Sequence, residues 1–292
     1  MEPLTSHARS RGALLLAATA LFAIPASAHA APAPEPDPEQ QIYHLDVALD
    51  LSLIVGASVL WATPYLVATT QTDAPWCGTP GACALSDVNA FDRTQAGHHM
   101  AEMRSVADAT WAVPALGFLI FDVADVGGRR WHTWLTDFVV IGETALIDGV
   151  LGEIFSRSIR RPRPFLYEDG VYPDERTQPS ATLSFFATDV SQIFGLASAV
   201  SYSWSLRHPN STARKWVFLG MYLLSSTVAV ARVLSGDNFM SDTIVGAIVG
   251  GSIGVAWPAM RNWMFRQDQL TLSVAPPPAG ASGIVASLGG RF

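Results

Sequence analysis

The stretch Ala231-Arg232-Val233-Leu234-Ser235-Gly236-Asp237-Asn238-Phe239-Met240-Ser241-Asp242 separates two apolar runs, 216–234 and 239–257, and its reading decides the fold. Helix packing does not need a cation, two acids and an amide at such a joint. Working outward, two further polar clusters interrupt the apolar pattern. Arg157-Ser158-Ile159-Arg160-Arg161-Pro162-Arg163-Pro164-Phe165 follows the run 131–155, and Ser184-Phe185-Phe186-Ala187-Thr188-Asp189-Val190-Ser191 opens the run 185–206. If successive apolar runs alternate in direction, all three clusters lie on one side. Four arginines within seven residues, facing a helix start, would make an anion site. Taken alone, the same run equally reads as a basic patch on lipid headgroups.

The apolar runs are six, with 45–68 and 106–123 completing the set. They are too long, and alternate too little, for strands. The fold class expected is all-α, a bundle of about six mostly membrane-embedded helices. Runs one, four, five and six have uncharged cores near the lower limit for a bilayer span, whereas Asp108, Asp122, Asp137, Glu143, Asp148 and Glu153 in runs two and three must face protein, water or a partner group. In the last run Gly246, Gly250 and Gly254 recur every four residues, which lets helix backbones approach closely. Alternation at Leu270, Leu272 and Val274, then a Pro-rich turn, then alternation again over 283–292, predicts a short β-hairpin.

In these three clusters the chain resembles the type 2 phosphatidic acid phosphatases, which share a fold with bacterial acid phosphatases and vanadium haloperoxidases. The family's motifs are Lys-x6-Arg-Pro, Pro-Ser-Gly-His and Ser-Arg-x5-His-x3-Asp. Arg163-Pro164 matches the first, and Arg232 and Asp242 match the third at the right spacing. Ser184-Phe185 and Ser191 match the flanks of the second. The resemblance covers roughly residues 85–260. It implies that Arg163 and Arg232, with Arg157 beside the lysine position, hold a phosphate, and that Asp242 orients a nucleophilic histidine.

The departures fall on the chemistry. The nucleophile position holds Asn238, the Pro-Ser-Gly-His positions hold Phe186, Ala187, Thr188 and Asp189, and the lysine position holds Ser156. None of the seven histidines lies in a motif; His98 and His99 alone could approach from the loop before run two. An asparagine amide is not nucleophilic, because its nitrogen lone pair is delocalised into the carbonyl. Asp189 adds negative charge where phosphate must be attracted. The leading expectation is therefore a catalytically inactive relative that retains arginines for a phosphate-like anion or lipid headgroup. An active phosphomonoesterase with a rearranged site is one alternative. A scaffold, or a divalent-metal site built from Asp189, Asp237, Asn238 and Asp242, is another, although the neighbouring arginines oppose it. No cofactor is expected.

Composition agrees with lipid contact: 49% of residues are hydrophobic and only 15% charged, against about 25% in soluble domains. A net charge of −7 and the lack of a basic stripe give no footprint for nucleic acid. Residues 1–30 read as an export signal ending in Ala28-His29-Ala30. Residues 31–42 read as a disordered leader, 43–266 as the helical domain and 267–292 as a tail. Cys77 and Cys83 read as a disulfide in an oxidising compartment. Arg129 and Arg130, Arg207, Arg214 and Lys215, and Arg261 and Arg266 fall on the side opposite the three clusters, which makes that side cytoplasmic and the clusters periplasmic. A cleaved signal would instead start run one in the periplasm. The inner membrane and a soluble periplasmic bundle both remain open at this level.

Overall fold

The computed structural model describes residues 41–67, 77, 83–127, 130–168, 173–268, 271–275 and 285–289. Six long helices form: α1 (Val47–Val67), α2 (Ala101–Val126), α3 (Trp131–Ile159), α5 (Thr188–Arg207), α6 (Arg214–Leu234) and α7 (Met240–Asp268). A single turn, α4 (Pro173–Arg176), lies in the connection between α3 and α5. Strands β1 (Thr271–Ala275) and β2 (Val285–Gly289) pair antiparallel, with Val274 opposite Ala286. The expected bundle and hairpin are both present.

Helix α5 is the axis of the bundle, touching α2, α3, α6 and α7. Its Val190, Ile193, Ala197 and Val200 are buried against Phe118 of α2, Ile141 of α3, and Met221 and Val228 of α6. Against α7 the contact is backbone to backbone. A Cβ on Gly250 would fall 1.8 Å from the Ser191 carbonyl oxygen, and one on Gly254 2.2 Å from that of Gly195. The glycine repeat read from the sequence therefore marks a close crossing of α5 and α7.

Among the described residues three helices are long and apolar enough to cross a membrane: residues 102–126 in α2, 214–234 in α6 and 240–267 in α7. Their outward faces expose Val113, Leu116 and Ile120, Trp216 and Leu223, and Ile248 and Trp263. This differs from the sequence expectation in three helices: α1, whose described apolar stretch Val47–Thr63 is too short to qualify, α5 and α2. Helix α5 is too polar to qualify, since Ser191, Ser198, Ser201, Ser203 and Ser205 are all buried in it. Enclosed by other helices, it needs no lipid-facing surface. Helix α2 qualifies because its acids sit near its ends, where Asp122 and Asp125 pair with Arg207.

Candidate functional site

Helices α3 and α6 finish, and α5 and α7 begin, at one end of the bundle. The three polar clusters connect or cap them there, and main-chain hydrogen bonds lace the clusters together. Arg163 N–H donates to the Ala181 carbonyl (2.9 Å), Phe165 N–H to Gly236 (3.2 Å), Ser184 N–H to Arg161 (3.0 Å) and Ala187 N–H to Asp242 (3.2 Å). The segment before α2 ties in as well, with Gly97 N–H donating to Pro164 and Met100 N–H to Leu234. Cys77 and Cys83 form a disulfide, Cα atoms 5.2 Å apart, packed on Phe165, Leu166 and Ala181.

Asn238 is only 5% exposed. Its Nδ2 donates to the Ser184 carbonyl at 2.7 Å. Asp242, fully buried, accepts from Arg161, from the Ser184 hydroxyl and from the Phe239 N–H. The carboxylate that would orient a histidine is thus engaged by a guanidinium instead. Asp189 Oδ2 lies 2.7 Å from Arg232 Nη2, while Arg232 Nη1 also reaches Asp108 (3.1 Å) and Asp237 (3.3 Å). Arg163 pairs with Asp237 at 3.3 Å and Arg157 with Glu153 at 2.7 Å. Every arginine expected to hold a phosphate therefore already has a carboxylate partner.

The remaining substitutions are accommodated locally. Thr188 packs where α3 has Gly152: a Cβ there would lie 2.3 Å from the Thr188 hydroxyl oxygen. Ser156, at the lysine position, is buried and donates back to the Glu153 carbonyl.

Three participants were not legible as site residues. Arg161 sits in the first cluster but off the matched positions, and it bridges Asp242 to Asp92. Asp92 is fully buried and also accepts from the Ser241 backbone and from Asn89. Burial pushes its carboxyl upward, but the hydrogen bonds from Arg161, Ser241 and Asn89 outweigh burial and hold it below the usual carboxylate range. Arg104 of α2 pairs with Glu175 and, at 3.4 Å, with Asp237. Asp92 and Arg104 lie before the three clusters and carry no motif.

Two cavities adjoin at this end. One of about 290 Å³ lies among Arg104, Arg163, Arg232, Glu175 and Asp237. The other, about 450 Å³, reaches Asp189 and Asn238 and is walled by Trp61 of α1. Among the described residues no histidine lines either. His99 instead faces Glu168 at 3.2 Å. Among the described residues no group of three metal-ligating side chains converges, and Asp189, Asp237 and Asp242 are each taken by arginine.

The family model of the PAP2 superfamily matches residues 137–266, the segment that supplies all three clusters. A crystal structure described as the first transmembrane PAP2 type phosphatidylglycerolphosphate phosphatase from Bacillus subtilis is similar at 17% identity and a TM-score of 0.41, covering 75% of this chain and 96% of that one. No functionally curated protein matches. The PAP2 segment spans α3 to α7; α1, α2 and the segment before α2, which contribute Trp61, Asp92, Arg104 and Asp108, lie outside it.

Proposed function

We propose that this chain is an exported membrane protein of PAP2 fold that does not hydrolyse phosphate esters, its anion site being closed by its own carboxylates. The observation that carries this reading is Asn238 at the nucleophile position, its amide spent on the Ser184 carbonyl and its partner Asp242 engaged by Arg161. Among the described residues no histidine lines the cavities beside these arginines, and a general acid or base must come within about 3 Å of its target. Arg157, Arg163 and Arg232 keep the donors a phosphate-like anion or lipid headgroup would use, but such an anion must compete with Glu153, Asp237 and Asp189 for them. Its affinity is accordingly weak.

The site end faces the periplasm in this reading. Arg207, Arg214, Lys215, Arg261 and Arg266 belong to the other end of α5, α6 and α7, as a cytoplasmic face requires. The disulfide beside the first cluster suits an oxidising side. The experiment is a phosphatase assay of the purified protein in detergent, on lipid phosphates and para-nitrophenyl phosphate, from roughly pH 4 to 9 to cover any acid–base pair. The expected result is no phosphate release above background. Turnover that disappears in Arg232→Ala would overturn the proposal.

A further inference from the structure

We infer that the 450 Å³ cavity beside Asn238 binds an uncharged, hydroxyl-rich group: a sugar or polyol headgroup. The inference rests on the reading above, that Asp189 and Asp237 occupy the arginines. The charges that line this cavity balance, Arg157 and Arg163 against Glu153 and Asp189, and each arginine around it already has a carboxylate: Glu153 for Arg157, Asp237 for Arg163, and Asp189 with Asp108 and Asp237 for Arg232. A ligand carrying net charge would leave one of those groups uncompensated in a part-buried site, which is costly. A neutral ligand leaves the pairs intact.

The rest of the lining suits such a ligand. Gln178, Thr188, Gln192 and Asn238 present amides and a hydroxyl, and Trp61 supplies an aromatic wall. The orientations are fixed. Gln192 Nε2 donates to the Ala145 carbonyl at 3.2 Å and Asn238 Nδ2 to Ser184 at 2.7 Å, so each amide plane is held while its oxygen remains as an acceptor for hydroxyl groups. The Trp61 indole lies over Gly149 of α3; a Cβ there would sit 3.5 Å from its Cε2 and Nε1 and 3.0 Å from Gln192 Nε2. Glycine at this position leaves the ring and the amide side by side without crowding. A broad ring next to fixed amides stacks on the C–H face of a pyranose while the amides take its hydroxyls. The volume falls in the range of small-molecule sites, about 300–1,000 Å³. Trp61 lies outside the PAP2 segment, so this wall is a contribution of α1 and not of the matched fold.

The test uses the full chain in phosphatidylcholine nanodiscs. Its thermal unfolding is followed with methyl β-D-glucopyranoside in solution, with a glucosyl diacylglycerol in the disc, or with phosphatidic acid in the disc, and phosphate release is monitored throughout. A rise of a few degrees with either sugar ligand, and none with phosphatidic acid, is expected. A rise with the glucosyl lipid alone identifies a membrane headgroup; a rise with the free glucoside identifies a soluble sugar. Affinity should fall about tenfold in Trp61→Ala and in Gln192→Leu and be largely kept in Trp61→Phe, which retains the ring face and separates stacking from folding. Stabilisation by phosphatidic acid alone, or by none of the three, overturns the inference. Phosphate release would instead overturn the non-hydrolytic reading on which it rests.

Discussion

Asp189 Oδ2 lies 2.7 Å from Arg232 Nη2, so a carboxylate of one polar cluster faces the guanidinium of another. The two side chains come from the start of α5 and the end of α6, and they meet because both ends face the same cavity region. Asp189→Asn removes the charge and keeps the size. Phosphate or vanadate binding, measured by calorimetry on the detergent-solubilised protein, should strengthen about tenfold, the worth of one charge-assisted hydrogen bond. Hydrolysis should stay at background. Unchanged binding would show that Asp108 and Asp237 alone suffice to occupy Arg232.

Restoring the histidine alone should not restore chemistry. In Asn238→His the new imidazole would meet an Asp242 already engaged by Arg161 and Ser184, with Asp189 still opposite Arg232. Groups that act as a unit lose most of the rate when one is missing. The expected outcome is background turnover for Asn238→His, and measurable turnover only when Asp189→His, Ala187→Ser, Thr188→Gly and Ser156→Lys accompany it. A single-substitution variant with robust turnover would contradict this.

Asp92 links the segment before α2 to the start of α7 through Arg161 and Ser241. Its carboxyl is held below the usual range, so it binds a proton less readily folded than unfolded. The stability it contributes is fully present above its unfolded pKa of about 3.9 and is lost as pH falls through the lower folded value. Thermal unfolding of the native chain should therefore weaken below about pH 4. The Asp92→Asn variant should be less stable at neutral pH and show a flatter acid limb, because it lacks this titration. Parallel acid limbs would assign the loss to other carboxylates.

The α5–α7 contact should be intolerant of a single methyl group. Gly250→Ala would place its Cβ against the Ser191 carbonyl, and backbone cannot yield as a side chain can. A loss of about 1–3 kcal/mol or more is expected from such overpacking. Gly142→Ala on α3 meets nothing within 4 Å and should be neutral, or stabilising by about 0.5–1 kcal/mol. Unfolding curves of the two variants in one detergent make the comparison. Equal midpoints would mean that the two helices are not in backbone contact.

Much of this protein is written locally in its sequence. Apolar runs of helical length specify the six long helices, alternation specifies the hairpin, and glycines every four residues mark the crossing of α5 and α7. The order of the three clusters places Arg163, Arg232, Asp189, Asn238 and Asp242 at one end. The partners of these residues are not legible. Arg161 reaches Asp92 and Asp242 across 69 and 81 residues. Arg104 and Trp61 join the site from helices that carry no motif. Ion pairs of this kind depend on how helices cross and how loops fold back, and no periodicity in the chain encodes those distances. The same reason governs α5, whose serines look ill-suited to a bilayer until the surrounding helices enclose them. Sequence alone determined the elements and the order of the three polar clusters; the tertiary structure decided which carboxylate answers each arginine, because charges far apart in the chain choose partners only once packing brings them within reach.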